Sequence, residues 1–212
     1  MPSAKLKDLG LYFITDSNLT KKTVIEDVKS AIKGGVKIIQ YREKNASTKQ
    51  MLWEANEIKK LCRKNNVIFL VNDRIDIALA ADADGVHLGN DDMPYQSARK
   101  LLGKNKIIGL TTHNAGESAE AENIGADYIG LSPIFSTNTK IDAGNACGTD
   151  LISEAKKKVK IPIIAIGGIS ESNIDSVLNA GAKNIAIISA ILTKDDVEHA
   201  VKRFINKINS QK

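Results

Sequence analysis

Eight times along the 212 residues a short apolar run gives way to a segment whose apolar positions recur at helical spacing. The strand-type runs are LYFIT (11–15), IIQYR (38–42), IFLVN (68–72), GVHL (85–88), IIGLT (107–111), YIGLSPI (128–134), IPIIAIG (161–167) and NIAIIS (184–189). The clearest helical faces lie at 48–65, through Met51, Leu52, Ala55, Ile58, Leu61 and Cys62, and at 195–208, through Val197, Ala200, Val201, Phe204, Ile205 and Ile208. Eight such units, joined by short connections without any linker rich in Gly, Pro or Ser, predict an α/β fold of one kind: a closed (β/α)8 TIM barrel, a single domain over 1–212. An open doubly wound sheet is the alternative. It would place a G-x-G-x-x-G after the first strand, and the first turn reads TDSNLT instead.

Composition narrows the function classes. Hydrophobic residues at 42% and charged residues at 26% are the balance of a soluble globular chain, which excludes long disordered or collagen-like segments. No apolar run approaches membrane-spanning length, and the opening MPSAKLKDLG lacks the apolar core of a signal peptide, so cytoplasmic residence without membrane contact is expected. Cys62 and Cys147 have no partner at metal-ligand spacing and read as free thiols. Lysine and arginine outnumber the acidic residues 30 to 25, but the excess is spread over helix faces and the C-terminal KRFINKINSQK, with no aromatic platform beside it. Nucleic acid is not an expected partner.

The strands end in residues unlike their bodies: REK, ND, GNDDMP, TTHN, STNTK, GGIS and SAIL. In a barrel these ends gather at one face, where the chemistry is kept. Alternation along the second strand puts Gln40, Arg42 and Lys44 on one side and Ile39, Tyr41 and Glu43 on the other. With Ile39 and Tyr41 against the helices, the cations point into the mouth. Asn72 and Asp73 end the third strand, and Asp91 and Asp92 follow the fourth. Two carboxylates on neighbouring strands suit Mg²⁺ bridging to phosphate oxygens, although either could instead cap the helix that follows. Thr137, Thr139 and Lys140 crowd the loop after strand six. The Gly-Gly after strand seven and the start of the helix after strand eight form a second place for a phosphate. Two anion-binding features imply two phosphorylated substrates.

The segments QYREK, VNDRIDIAL, DGVHLGNDDMP, ADYIGLSPIFSTNTKIDA and IPIIAIGGI resemble the thiamine phosphate synthase family over nearly the whole chain. That resemblance implies a Mg²⁺-dependent transferase, a possible homodimer, which joins a pyrimidine diphosphate to a thiazole phosphate and releases pyrophosphate. It implies that Gln40, Tyr41, Arg42, Glu43, Lys44 and Asn72 hold the pyrimidine substrate and that Asp73 and Asp92 hold Mg²⁺. Thr111 stands where the family has a serine on the diphosphate. Lys140 would meet the leaving group, Thr137, Asn138 and Thr139 would meet the thiazole phosphate, and Gly168, Ile188 and Ser189 would complete its cradle. Arg42, Lys44, Lys140 and Thr111 are the catalytic set. Ser136 and the GNACG continuation depart from the family's loop. Two rivals share the barrel. A thiazole tautomerase has no diphosphate to expel and carries a catalytic histidine where this chain has Pro133. A non-catalytic phosphate-binding barrel would lose the carboxylates. His199 is expected on a surface, and His87 and His113 near the mouth without an acid-base partner set.

Overall fold

Each of the eight apolar runs becomes a strand that pairs in parallel with the next, and the last pairs with the first, so the sheet closes into a barrel without an edge. The structure is a computed structural model, and it describes residues 6–137, 139 and 144–211. The strands are β1 (Leu11–Ile14), β2 (Ile38–Tyr41), β3 (Ile68–Asn72), β4 (Gly85–Leu88), β5 (Ile107–Thr112), β6 (Tyr128–Leu131), β7 (Ile163–Ala165) and β8 (Asn184–Ile187). Between them run α1 (Val24–Gly34), α2 (Thr48–Lys64), α3 (Ile75–Ala80), α4 (Tyr95–Leu102), α5 (Ala115–Ile124), α6 (Asp150–Lys158) and α7 (Ile174–Asn179), and after β8 come α8 (Ser189–Leu192) and α9 (Val197–Asn209). This is the (β/α)8 TIM barrel that the alternation predicts.

The period of two along each strand sorts the core into two layers. Leu11, Phe13, Ile39, Tyr41, Phe69 and Val71 face outward and pack against the helices. Tyr12, Ile14, Ile38, Leu70, Tyr128 and Ile164 face inward and fill the barrel. Helix starts are fixed where short polar side chains take up an orphan N–H: Thr23 accepts from Glu26, Ser47 from Gln50, Asn114 from Glu117 and Asp196 from His199.

Two strands are shorter than their apolar runs. The sixth stops at Leu131, ahead of Pro133, and the seventh begins at Ile163, after Pro162, because a proline has no N–H for the ladder. Both cysteines are free, Cys62 in the core and Cys147 half-buried. No helix among the described residues is long and apolar enough to cross a membrane.

Candidate active site

At the C-terminal ends of the strands a cavity opens over the inner layer. Gln40, Arg42 and Lys44 line it from the β2 end, Asn72 and Asp73 from β3, and Asp92 from the loop after β4. Thr111, Thr137, Thr139, Gly168, Ile188 and Ser189 complete the ring. The fold therefore brings twelve of the predicted site residues to one mouth. Asn138 and Lys140 lie outside the described residues. Tyr41 and Glu43 do not reach the mouth, and the parity of β2 is the reason. The Tyr41 hydroxyl donates to Glu54 Oε2 on α2 at 2.6 Å, and the Glu43 carboxylate accepts from the N–H groups of Asn45 and Ala46. Their side chains are engaged away from the cavity: one anchors a helix and the other braces a turn.

Both cations of the lip are already paired. Arg42 meets Asp16, a buried carboxylate on the β1–α1 turn, in an ion pair whose side chains are 14% and 5% exposed. The backbone around it is locked as well, since Arg42 N donates to Thr15 Oγ1 at 2.9 Å. Lys44 pairs with Asp73 across the β2–β3 gap. Asp73 in turn shares a hydrogen bond with Asp92. Burial opposes ionisation of Asp73, but the bond from Asp92 and the Lys44 ammonium outweigh it and hold Asp73 below the usual carboxylate range. Burial, and then the hydrogen bond to Asp73, push Asp92 up to about 6. The two carboxyls stand within hydrogen-bond reach of each other, close enough for two unprotonated carboxylates to share a divalent cation, so the residues present fit Mg²⁺. Among the described residues no group of three or more His, Cys, Asp or Glu gathers for a metal, and a divalent cation held by two carboxylates would take its other ligands from water and phosphate oxygens.

Helix capping, the structural alternative for these carboxylates, is not their role. Neither α3 nor α4 has a side-chain cap; their first positions fall to Arg74 and Pro94. Asp92 instead accepts from Gly89 N at 2.6 Å, folding the β4 loop back on itself. Asp73 has a left-handed backbone with φ 59°, a conformation that Asp tolerates better than most residues.

The opposite side of the mouth is built from backbone and small side chains. Gly167 and Gly168 have φ of 104° and 63°. A Cβ on Gly168 would stand 2.5 Å from Ser136 O, and one on Gly167 would stand 2.6 Å from Pro133 Cα. The glycines let the β7 turn lie against the loop after β6, where Phe135 N donates to Gly167 O at 3.0 Å. The N–H groups of Gly168 and Ser189 have no acceptor among the described residues, and Ser189 opens α8.

Sequence reasoning missed three members of the site. Asp16 carries no motif, and Tyr12 and Tyr128 read as core. The available signal was the glycine inside each of β5 and β6, a mark of close approach. His87 and His113 both line the mouth, and each is hydrogen-bonded, His87 to Tyr128 and Thr111 and His113 to Glu117. His199 is exposed on α9.

Comparison with known proteins adds a second line of observation. The family model described as thiamine monophosphate synthase matches residues 11–191. Thiamine-phosphate synthase of Methanosarcina mazei is 52% identical over 212 residues, all of this chain and 88% of its own length. That of Chloroflexus aurantiacus is 47% identical, over 96% of this chain and 94% of its own. The solved structure of a thiamine phosphate pyrophosphorylase from Pyrococcus furiosus superposes with a TM-score of 0.87 at 39% identity, covering 97% of this chain and 98% of that one. An N-acetylmannosamine-6-phosphate 2-epimerase from Clostridium perfringens, at 16% identity and a TM-score of 0.66, shares the fold alone.

Proposed function

Since this chain belongs to the thiamine monophosphate synthase family, and is a transferase of the thiamine-phosphate synthase kind, we propose that its barrel mouth joins a pyrimidine diphosphate to a thiazole phosphate with release of pyrophosphate. The observation that carries this reading is the meeting of Arg42, Lys44 and the Asp73–Asp92 carboxyl pair on one side of the same cavity, across from the glycine and hydroxyl side. A tautomerase has no anion to expel and no use for that cluster, and Pro133 stands where its histidine would be.

The carbon–oxygen bond of the pyrimidine's exocyclic methylene breaks, and its electron pair leaves with pyrophosphate. The ring's amino group delocalises the positive charge left on carbon. The thiazole nitrogen then supplies a lone pair and the carbon–nitrogen bond forms. No protein nucleophile is needed. Gln40 and Asn72 orient the pyrimidine, and Arg42, Lys44, Thr111 and Lys140 stabilise the charge that grows on the departing diphosphate. Asp73 and Asp92 would hold Mg²⁺, which when bound supplies further neutralisation of the diphosphate. Thr137, Asn138, Thr139, Gly168, Ile188 and Ser189 hold the thiazole phosphate, Gly168 through the backbone of the β7 turn and Ile188 and Ser189 through backbone and hydroxyl groups at the α8 start.

The same reading takes 1–212 as one domain, cytoplasmic, acting on small molecules and paired as a homodimer, which light scattering in solution would check. For the reaction itself, the protein is incubated with both phosphorylated precursors, with and without Mg²⁺, and pyrophosphate is measured. Release that requires both precursors and the metal is expected. Release from the diphosphate alone, or none from the pair, overturns the assignment.

A further inference from the structure

Beneath the mouth a line of hydrogen bonds runs through the barrel. Gln40 Nε2 donates to Tyr12 Oη at 2.9 Å, and Tyr12 Oη lies 3.0 Å from Tyr128 Oη. Tyr128 Oη lies 2.9 Å from His87 Nδ1, and His87 Nε2 lies 3.0 Å from Thr111 Oγ1. The five residues come from β2, β1, β6, β4 and β5, and the two tyrosines are each 1% exposed. Space for the rings is made by what two strands omit. A Cβ on Gly109 would stand 2.0 Å from Tyr128 Cζ, and one on Gly130 would stand 3.1 Å from His87 Cε1. Gly109 pairs with His87 and with Tyr128, and Gly130 with Thr111, so each omission falls on the residues of the line itself.

The direction of the line follows from counting donors. Gln40 Nε2 gives to the Tyr12 oxygen, and because the Tyr12 hydroxyl is buried its one proton needs an acceptor, for which Tyr128 Oη stands at 3.0 Å. Burial raises the pKa of both phenols, which keeps them protonated. Tyr128 then gives to His87 Nδ1. A neutral imidazole that accepts at Nδ1 carries its proton on Nε2, and so donates to Thr111. With its oxygen receiving from the ring, the Thr111 hydroxyl cannot donate to His87. Its hydrogen is left for the cavity.

We propose that His87 is a positioning residue, held in its Nε2–H tautomer by Tyr12 and Tyr128, and that it fixes the Thr111 hydroxyl as a donor aimed at the leaving diphosphate. The opposite tautomer would reverse the last bond and present the anion with oxygen lone pairs. The second half of this inference rests on the reaction assigned above; the tautomer does not.

Two-bond ¹H–¹⁵N correlation spectra of the wild-type protein at neutral pH read the tautomer directly, with the His87 signals identified by their loss in His87→Gln. An unprotonated Nδ1 and a protonated Nε2 are expected. A proton on Nδ1 overturns the proposal, whether as the other tautomer or as an imidazolium stabilised by Asp73, which acts electrostatically on the same ring. Kinetics test the rest. Tyr128→Phe should lower kcat by about 10-fold with KM for both substrates within about 2-fold, because a donor aimed at growing charge acts mainly in the transition state. In a Thr111→Val background the same change should cost less than about 2-fold. Equal losses in the two backgrounds would make the tyrosine a packing residue only. Should Tyr128→Phe fail to fold, the wild-type spectrum still decides. A wild-type protein with no pyrophosphate release would remove the reaction while leaving the tautomer to stand or fall on its own signals.

Discussion

The two sides of the mouth solve the same problem, holding an anion, by opposite means. On the β2–β4 side the tools are charged side chains, and each one is partnered before any ligand arrives: Arg42 with Asp16, Lys44 with Asp73, Asp73 with Asp92. On the β6–β8 side they are backbone N–H groups, hydroxyls and glycines that meet a neighbouring loop at contact distance. The difference predicts different sensitivities. Loss of a side chain should damage the first side, and gain of one should damage the second.

The largest effects are expected from removing a cation, first Lys140 in the segment after β6 and then Arg42 on the charged side. Lys140→Ala should lower turnover by about 10² or more while the fold persists; near-normal turnover would remove its place at the leaving group. Arg42→Ala should lose about 10²–10³ in turnover and also about 3–5 kcal/mol in stability, because Asp16 is left as a buried carboxylate without its counter-ion. The double variant Arg42→Ala with Asp16→Asn separates these. Denaturant melting should recover in it and turnover should not; recovery of both would reduce Arg42 to a structural ion pair.

A smaller, metal-dependent change is expected at Asp73→Asn, which keeps a residue tolerant of the left-handed backbone. The Mg²⁺ concentration for half-maximal activity should rise, and an unchanged titration would count against ligation. Across the mouth, Gly168→Ala places a methyl 2.5 Å from Ser136 O at a positive φ. A destabilisation of about 1–3 kcal/mol should accompany a raised KM for the thiazole phosphate, with KM for the diphosphate little changed. Equal shifts in both constants would break the division between the sides.

The smallest effect should be that of Glu43→Gln, with kcat near wild type, because its carboxylate serves the turn after β2. Burial opposes ionisation of Glu43, but hydrogen bonds from Ser17 and from the backbone of Asn45, Ala46 and Lys44 win and lower its pKa. A lowered folded pKa contributes stability that is complete above the ordinary glutamate value, about 4.3, and is lost as pH falls through the folded value. In the variant, acid melting curves should lack about 1 kcal/mol of that dependence. A large drop in turnover at neutral pH would return Glu43 to the substrate.

How far these residues were legible in the sequence depends on whether their partners lie nearby along the chain. The barrel was legible because burial on a sheet leaves a period of two in the strands and a period near four in the helices, and eight repeats leave little choice of architecture. The lip was legible for the same reason: parity alone separates Arg42 and Lys44 from Tyr41 and Glu43, although motif resemblance groups all four. The pairing of Arg42 with Asp16 was not, nor was that of Tyr12 with Tyr128, because such contacts depend on which strands the barrel sets side by side. For Tyr128 even the neighbouring glycines read only as gaps until the register showed what filled them.

Those gaps bear on how a chain of this kind can vary. Tyr128 and His87 occupy volume that adjoining strands have given up, so neither an aromatic ring nor its facing hydrogen atom can be exchanged alone. A methyl gained at position 109 would stand 2.0 Å from the Tyr128 ring, so a lineage could accept it only together with a smaller residue at position 128.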